Sequence, residues 1–255
     1  MQGQSGEGSP LDQNNLLNAL RAEDVELLKP LATPWWGNFG DVLFEPGAIV
    51  RQAYFPCGPS LVSYLVVFSD GRAVETALIG REGAVGGIVS QGRLPAYSKA
   101  EVYFPGPFLR IDLSKLEEVK MRSLTLRHLF ARYSDCLMAQ IYQAVACNAL
   151  HTIEQRAAKW LIAAIERIGT MEVPLIQEQM AAMMGVGRSY LSRVLGSFRR
   201  QGVLRTHRGG LEITDFERLK AIACECNDCV RRHFDTVLQG VYPDGEIAGS
   251  GESER

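Results

Sequence analysis

The chain has 255 residues, 46% of them hydrophobic, and a formal net charge of −2. Domains usually hold about 50–200 residues, so this length suits two of them, and the near-neutral total excludes a chain that is basic throughout. Whether nucleic acid is a partner must be read from where the charges lie.

Met1 to Pro10 are rich in Gly, Ser and Gln rather than apolar, unlike a signal peptide. With six cysteines, Cys57, Cys136, Cys147, Cys224, Cys226 and Cys229, this leads to the expectation of a reduced, cytoplasmic setting. The longest apolar run, Leu61 to Phe68, falls far short of the roughly 20 residues that span a bilayer, so no membrane partner is expected. Residues 1–20 and 240–255 have little to bury and are expected to be disordered tails.

In 21–112, short apolar or alternating runs are separated by turn signals such as Glu45-Pro46-Gly47, Ser69-Asp70-Gly71 and Pro105-Gly106-Pro107. That spacing predicts an antiparallel sandwich or barrel. The acids Asp41, Glu45 and Glu82 sit beside turn residues, where acids are ordinary, and the Trp35-Trp36 pair reads as a core or domain-edge anchor because no basic residues surround it.

From Leu113 the period changes, and Gly and Pro disappear until Gly169. Leu116, Val119, Leu126, Phe130, Tyr133 and Leu137 form one seam, and Met138, Ile141 and Val145 lie on another face. A long helix over 113–149 with two apolar seams predicts a homodimer, one seam covering the β-domain and the other meeting a partner helix; a single buried helix is the alternative. Thr152-x-x-Gln155 is a capping box that opens a further helix ending at Gly169, where a DNA-binding domain over 150–239 takes up its second segment.

Between Glu178 and Glu212 no acid occurs, while Arg188, Arg193, Arg199, Arg200, Arg205 and Arg208 do. Gln177 to Met184 reads as a short helix, Gly185-Val186-Gly187 as a turn, and Arg188 to Arg200 as a second helix buried along Leu191, Val194, Leu195 and Phe198. The opposite face is Arg188, Ser189, Ser192 and Arg193, the candidates for reading base edges of double-stranded DNA in the major groove. Val203 to Thr206 and Leu211 to Thr214 flank a Gly-Gly turn and form a wing. Arg205, His207 and Arg208 on it, with Arg199 and with Gln177 at a helix N-terminus, are phosphate candidates.

Gln177 to Leu195, with both Arg188 and Arg193, resembles the DNA-reading signature of the Crp/Fnr family of transcription regulators. Cys147 to Leu161 resembles the segment that joins dimer helix to DNA domain in one branch of it, and the likeness extends over about Leu27 to Gln239. The resemblance implies an α+β architecture: an N-terminal jelly-roll sensor domain, a long dimerisation helix and a C-terminal winged helix-turn-helix, with RNA polymerase as a further partner. Ser189 stands where many members carry an acid, so their best-known operator is not expected here. Where cyclic-nucleotide-binding relatives have Gly-Glu-x-Gly and an Arg-Ser/Thr pair, this chain has Gly83-Ala84-Val85-Gly86 and a Ser98 without an adjacent Arg, Arg93 being the only nearby substitute. A pocket built from Gly83, Ala84, Gly86, Arg93 and Ser98 lacks the acceptor and cation that a cyclic nucleotide needs. The expected effector is therefore unassigned and other than cyclic AMP, and no cofactor is expected.

Two rival functions have sequence support. Cys224-x-Cys226-x-x-Cys229 could hold a metal or iron–sulfur centre as a redox sensor. The same residues read as the continuation of a helix capped by Thr214-x-x-Glu217, on which Cys224 and Cys226 point apart and no fourth ligand is evident, so no metal is expected. A jelly-roll metalloenzyme would need histidines within the β-domain, yet His128, His151, His207 and His233 all lie outside Trp35 to Asp112. The chain is not expected to be an enzyme.

Overall fold

Turn residues cut the first half of the chain into seven strands. The computed structural model describes residues 10–90 and 94–243. The strands are β1 (Thr33–Gly37), β2 (Val42–Phe44), β3 (Gln52–Pro56), β4 (Leu61–Val67), β5 (Ala73–Ile79), β6 (Lys99–Phe104) and β7 (Gly106–Asp112). They form two antiparallel sheets ordered β1-β7-β3 and β2-β6-β4-β5. The single residue Pro105, which has no N–H for either ladder, carries the chain from one sheet to the other. Val62, Ala77, Ile79, Ala100 and Val102 from one sheet meet Phe108 from the other, with Trp35, Tyr54 and Tyr64 packed around them. Trp35 is thus a core anchor, edge-on to Tyr54 at 5.5 Å, whereas Trp36 is exposed.

Residues 10–20 are folded, contrary to the expected tail. A 3-10 turn at Pro10–Gln13, α1 (Asn15–Asn18) and α2 (Ala22–Leu28) bury Leu11, Leu16 and Leu17 completely. Buried Asn14 donates to the carbonyls of Pro56 (2.8 Å) and Gly83 (2.9 Å) and accepts from Leu17 N–H (3.0 Å). Asn15 reaches the carbonyl of Val241 (2.9 Å), and Val241 and Tyr242 are also buried. These bonds join residues far apart in sequence, which local composition does not register. Residues 1–9 and 244–255 of the two expected tails lie outside the described residues.

The predicted 113–149 helix is two helices, α3 (Leu113–Arg122) and α4 (Leu124–Leu150). Ser123 interrupts them: its hydroxyl accepts from Leu126 N–H (3.1 Å) as an N-cap and donates to buried Asp24 of α2. The seam of Leu116, Val119, Leu126, Phe130 and Tyr133 is buried as expected, and Met138, Ile141 and Val145 are exposed.

The Thr152–Gln155 capping box opens α5 (Ile153–Ile168), and Gly169, at φ 73°, ends it in the left-handed region. There follow β8 (Glu172–Val173), α6 (Gln177–Met183), α7 (Arg188–Arg200), β9 (Leu204–His207), β10 (Gly210–Ile213), α8 (Phe216–Ile222) and α9 (Cys226–Val237). The helix expected to run on from Thr214 through the cysteines stops at Ala223, and its cap is Asp215, whose side chain accepts from Arg218 N–H; Thr214 donates to the carbonyl of Gly202 instead. After the break α9 turns back along α4, and its Val230 and Phe234 join the cluster that holds Leu17, Phe55 and Phe130. The last helix therefore packs against the β-domain side of the molecule as well as against α5, to which its Asn227 and Arg231 bond. No helix among the described residues is long and apolar enough to cross a membrane.

Glu82, expected to be an ordinary turn acid, is buried and pairs with equally buried Arg167 of α5 at 2.7 Å. Glu75 of β5 forms a second tie, accepting from Trp160 Nε1 of α5 (2.7 Å) and from the Ser63 hydroxyl (2.5 Å).

Candidate nucleic-acid interface

Amphipathic spacing explains the local geometry of α6 and α7. Met180, Ala181 and Met183 of α6 and Leu191, Val194, Leu195 and Phe198 of α7 are buried against one another and against α5, in the cluster that also holds Trp160 and Leu161. Between the helices Gly185 takes φ 66°, a backbone an L side chain resists, and the N–H of Val186 bonds back to the carbonyl of Ala181. Burial of one stripe turns the other outward: Arg188, Ser189, Ser192, Arg193, Arg199 and Arg200 are all exposed.

The arginines at the N-terminal end of α7 are not packed away. Arg188 lies 3.7 Å from Glu178, a fully solvated pair of the kind that contributes about 0–1 kcal/mol and leaves the guanidinium available. Arg193 stacks over the Tyr190 ring at 5.4 Å, which pre-orients its planar fork. Tyr190 was not among the expected site residues; its exposed place in the first turn of α7 was the available sign.

The wing is present as expected. β9 pairs with β10 from Leu204↔Ile213 to His207↔Gly210, and β8 adds a third strand. Arg205, His207 and Arg208 project from it into solvent, while Gln177 is half-buried in the first turn of α6.

The expected effector residues are placed differently. Gly83 and Ala84 are buried beneath α4: Tyr133 donates to the carbonyl of Ala84 (3.1 Å), and a Cβ on Gly83 would collide with the Tyr133 hydroxyl. The N–H of Gly86 is bonded to the Tyr64 hydroxyl (3.2 Å). Ser98 is half-buried just before β6, and Arg93 lies outside the described residues. Gly83 and Ala84 thus contribute to packing between the β-domain and α4.

The expected thiol cluster is rearranged as well. Cys229 stands apart, approached by Arg232, while Cys224 and Cys226 meet Cys147 and His151 at the end of α4. The sign available in the sequence was the four-residue spacing of Cys147 and His151, which on a helix puts both on one face.

Glu75 gives the joint between β5 and α5 a pH dependence. Burial pushes its carboxyl up from 4.5 to about 7, with the Ser63 and Trp160 hydrogen bonds opposing. Because the folded chain holds this proton more tightly than the unfolded one, its contribution favours folding at low pH and is lost as pH rises from about 4.5 through about 7. Glu75→Gln is expected to flatten urea-unfolding stability between pH 5 and pH 8 by roughly 2–3 kcal/mol relative to the parent. An identical pH slope in both would contradict this.

An exposed basic recognition helix, a wing beside it and a β-domain behind it define a winged helix-turn-helix DNA-binding protein. Residues 155–222 match the family model of a Crp-like helix-turn-helix domain, a segment that ends where α8 ends. The chain is 25% identical over 191 residues to transcriptional regulator SdrP of Thermus thermophilus, covering 72% of this chain and 91% of that one. Its fold resembles that of FixK2 from Bradyrhizobium japonicum (TM-score 0.63, 18% identity, 76% of this chain and 98% of that one). It also resembles a CRP-family transcriptional regulator from Thermus thermophilus (TM-score 0.62, 18% identity, 74% and 96%). The chain therefore carries a Crp-like helix-turn-helix domain, and the curated relative that it matches over most of its length is a transcriptional regulator.

Proposed function

We propose that the chain acts as a homodimer on a near-palindromic operator, two copies of α7 entering major grooves about one DNA turn, roughly 34–36 Å, apart. The observation that carries this is the exposed face of α7, on which Arg188, Ser189, Ser192 and Arg193 stand beside one another, with Arg199 and Arg200 exposed further along the same helix. Arg188 and Arg193 take guanine edges and the serines adjust to the neighbouring bases. Arg199, Arg205, His207, Arg208 and Gln177 meet phosphates and set the register. Dimerisation is supported by the exposed apolar stripe on α4. RNA polymerase as a partner and a cytoplasmic location follow from the family resemblance. An effector acting through the β-domain would be other than a cyclic nucleotide, since Ala84 offers no acceptor for a ribose hydroxyl and is itself buried.

Selection from random duplexes at one stated salt concentration, with and without cyclic AMP and cyclic GMP, tests this. A single two-fold motif is expected, unchanged by either nucleotide. Against the selected site, Arg188→Ala should lose about 1–3 kcal/mol of discrimination over random DNA. Arg208→Ala should weaken both alike and lower the salt slope by about one. Specificity that survives Arg188→Ala would remove the direct-readout role, and DNA binding insensitive to salt would remove the whole proposal.

A further inference from the structure

Four metal-ligand side chains from opposite ends of the C-terminal half converge where α4 hands over to α5. Cys147 is in the last turn of α4 and His151 is its C-cap. Ala223 closes α8 in an extended conformation, Cys224 follows, and Cys226 begins α9. This break in helix matters: on one continuous helix the two cysteines would point apart, whereas the extended turn brings both sulfurs to the same spot. The four ligand atoms all lie within 4.8 Å of one another. Cys147, Cys224 and Cys226 are buried in a cluster of their own.

Two of the distances match the edges of one tetrahedron. Zinc–sulfur bonds of about 2.3 Å and zinc–nitrogen bonds of about 2.0–2.1 Å give tetrahedral edges of about 3.8 Å between sulfurs and about 3.5 Å from sulfur to nitrogen. Cys147 Sγ to Cys224 Sγ is 3.6 Å, and Cys226 Sγ to His151 Nδ1 is 3.5 Å. Two more side chains stand against these ligands. Gln143 Nε2 donates to Cys226 Sγ (3.2 Å), and His151 Nε2, the nitrogen left over, lies 3.7 Å from a Glu225 carboxylate oxygen, a charge contact too long for a hydrogen bond.

We infer that Cys147, His151, Cys224 and Cys226 form a binding site for a single thiophilic divalent cation of the zinc class, which ties the end of α4 to the α8–α9 turn. Three thiolates and an imidazole close all four positions, so the site is structural rather than catalytic. An iron–sulfur cluster would interpose several irons and sulfides between its terminal ligands, for which a set this tight has no room. A disulfide would use two of the sulfurs and leave the third sulfur and the imidazole without a role. Bound there, the ion fixes the angle at which α5, and the helix-turn-helix it carries, leaves α4.

The experiment is elemental analysis of the full chain purified in reductant without chelator, followed by zinc-release and alkylation mapping. About one zinc per chain is expected, with Cys147, Cys224 and Cys226 becoming alkylatable only after chelation. Cys226→Ser and Cys147→Ser should lose the metal, and Cys229→Ser should keep it. Should the serine variants not fold, cobalt(II) added to the chelated parent gives a second readout: tetrahedral thiolate-type visible bands are expected. A chain that purifies without metal and takes up neither zinc nor cobalt would overturn the proposal. So would stoichiometric iron with acid-labile sulfide, a Cys147–Cys224 disulfide in fresh protein, or equal metal loss in Cys229→Ser. None of these outcomes depends on the DNA-contact assignments.

Discussion

Arg167→Met is expected to lower folding stability by about 3–5 kcal/mol, because it strands the Glu82 carboxylate in the interior. Both partners are buried, and each has a further contact besides the pair itself. Glu82 Oε1 also accepts from Gly80 N–H (3.1 Å), and Arg167 donates to the carbonyl of Ala163 (3.0 Å) and lies over the Tyr242 ring at 5.2 Å. Burial acts against the guanidinium charge, but the Glu82 carboxylate outweighs it, with Tyr242 and the Glu82 hydrogen bond, so Arg167 is held protonated above its ordinary value. Adding Glu82→Gln to Arg167→Met should recover most of the loss: the amide oxygen can still accept from Gly80, and no buried charge remains. Urea unfolding of the four proteins measures this as a double-mutant cycle. If the double variant is as unstable as Arg167→Met, shape rather than charge is responsible.

That joint also marks how far the sequence could be read. The helix-turn-helix, the wing and the α5 capping box are local: each depends on a period of 3.6, a Gly at a turn or a side chain three residues from its partner, and each was visible. Ser123 was not, because Ser-Leu-Thr fits the helical period, and only Asp24, 99 residues earlier, makes its hydroxyl part of a buried network. Glu82 looked like a turn acid for the same reason, its partner being 85 residues away. Asn14 and the folded 10–20 segment were missed because their stability comes from carbonyls of distant strands. At the cysteines, chain spacing suggested Cys229, whereas the fold substitutes Cys147 and His151 across a helix break that no period predicts.

Ile141→Glu combined with Val145→Glu is expected to give a folded monomer whose operator affinity falls by roughly 10²–10⁴-fold, the gain that coupling two half-sites normally supplies. On α4 the buried seam of Leu126, Phe130 and Tyr133 faces inward, and a stripe beside it presents Met138, Ile141, Tyr142 and Val145, of which Tyr142 is 66% and Val145 65% exposed. Met138, Tyr142 and Val145 follow a four-then-three spacing, the repeat by which two helices mesh along one seam. Long exposed side chains in such a row keep apolar surface in water unless a second copy covers them. Because Val145 is 65% and Ile141 37% exposed in the single chain, the two substitutions together should change its own stability by no more than about 1 kcal/mol, while across a two-fold axis they would set carboxylates against carboxylates. Sedimentation equilibrium reports the monomer, and binding to full and half operators separates the two effects: half-site affinity should stay at the parent value while the full-site advantage disappears. A double variant that still sediments as a dimer would mean that the seam lies elsewhere. Retention of the full-site advantage in a proven monomer would mean that the two recognition helices bind independently.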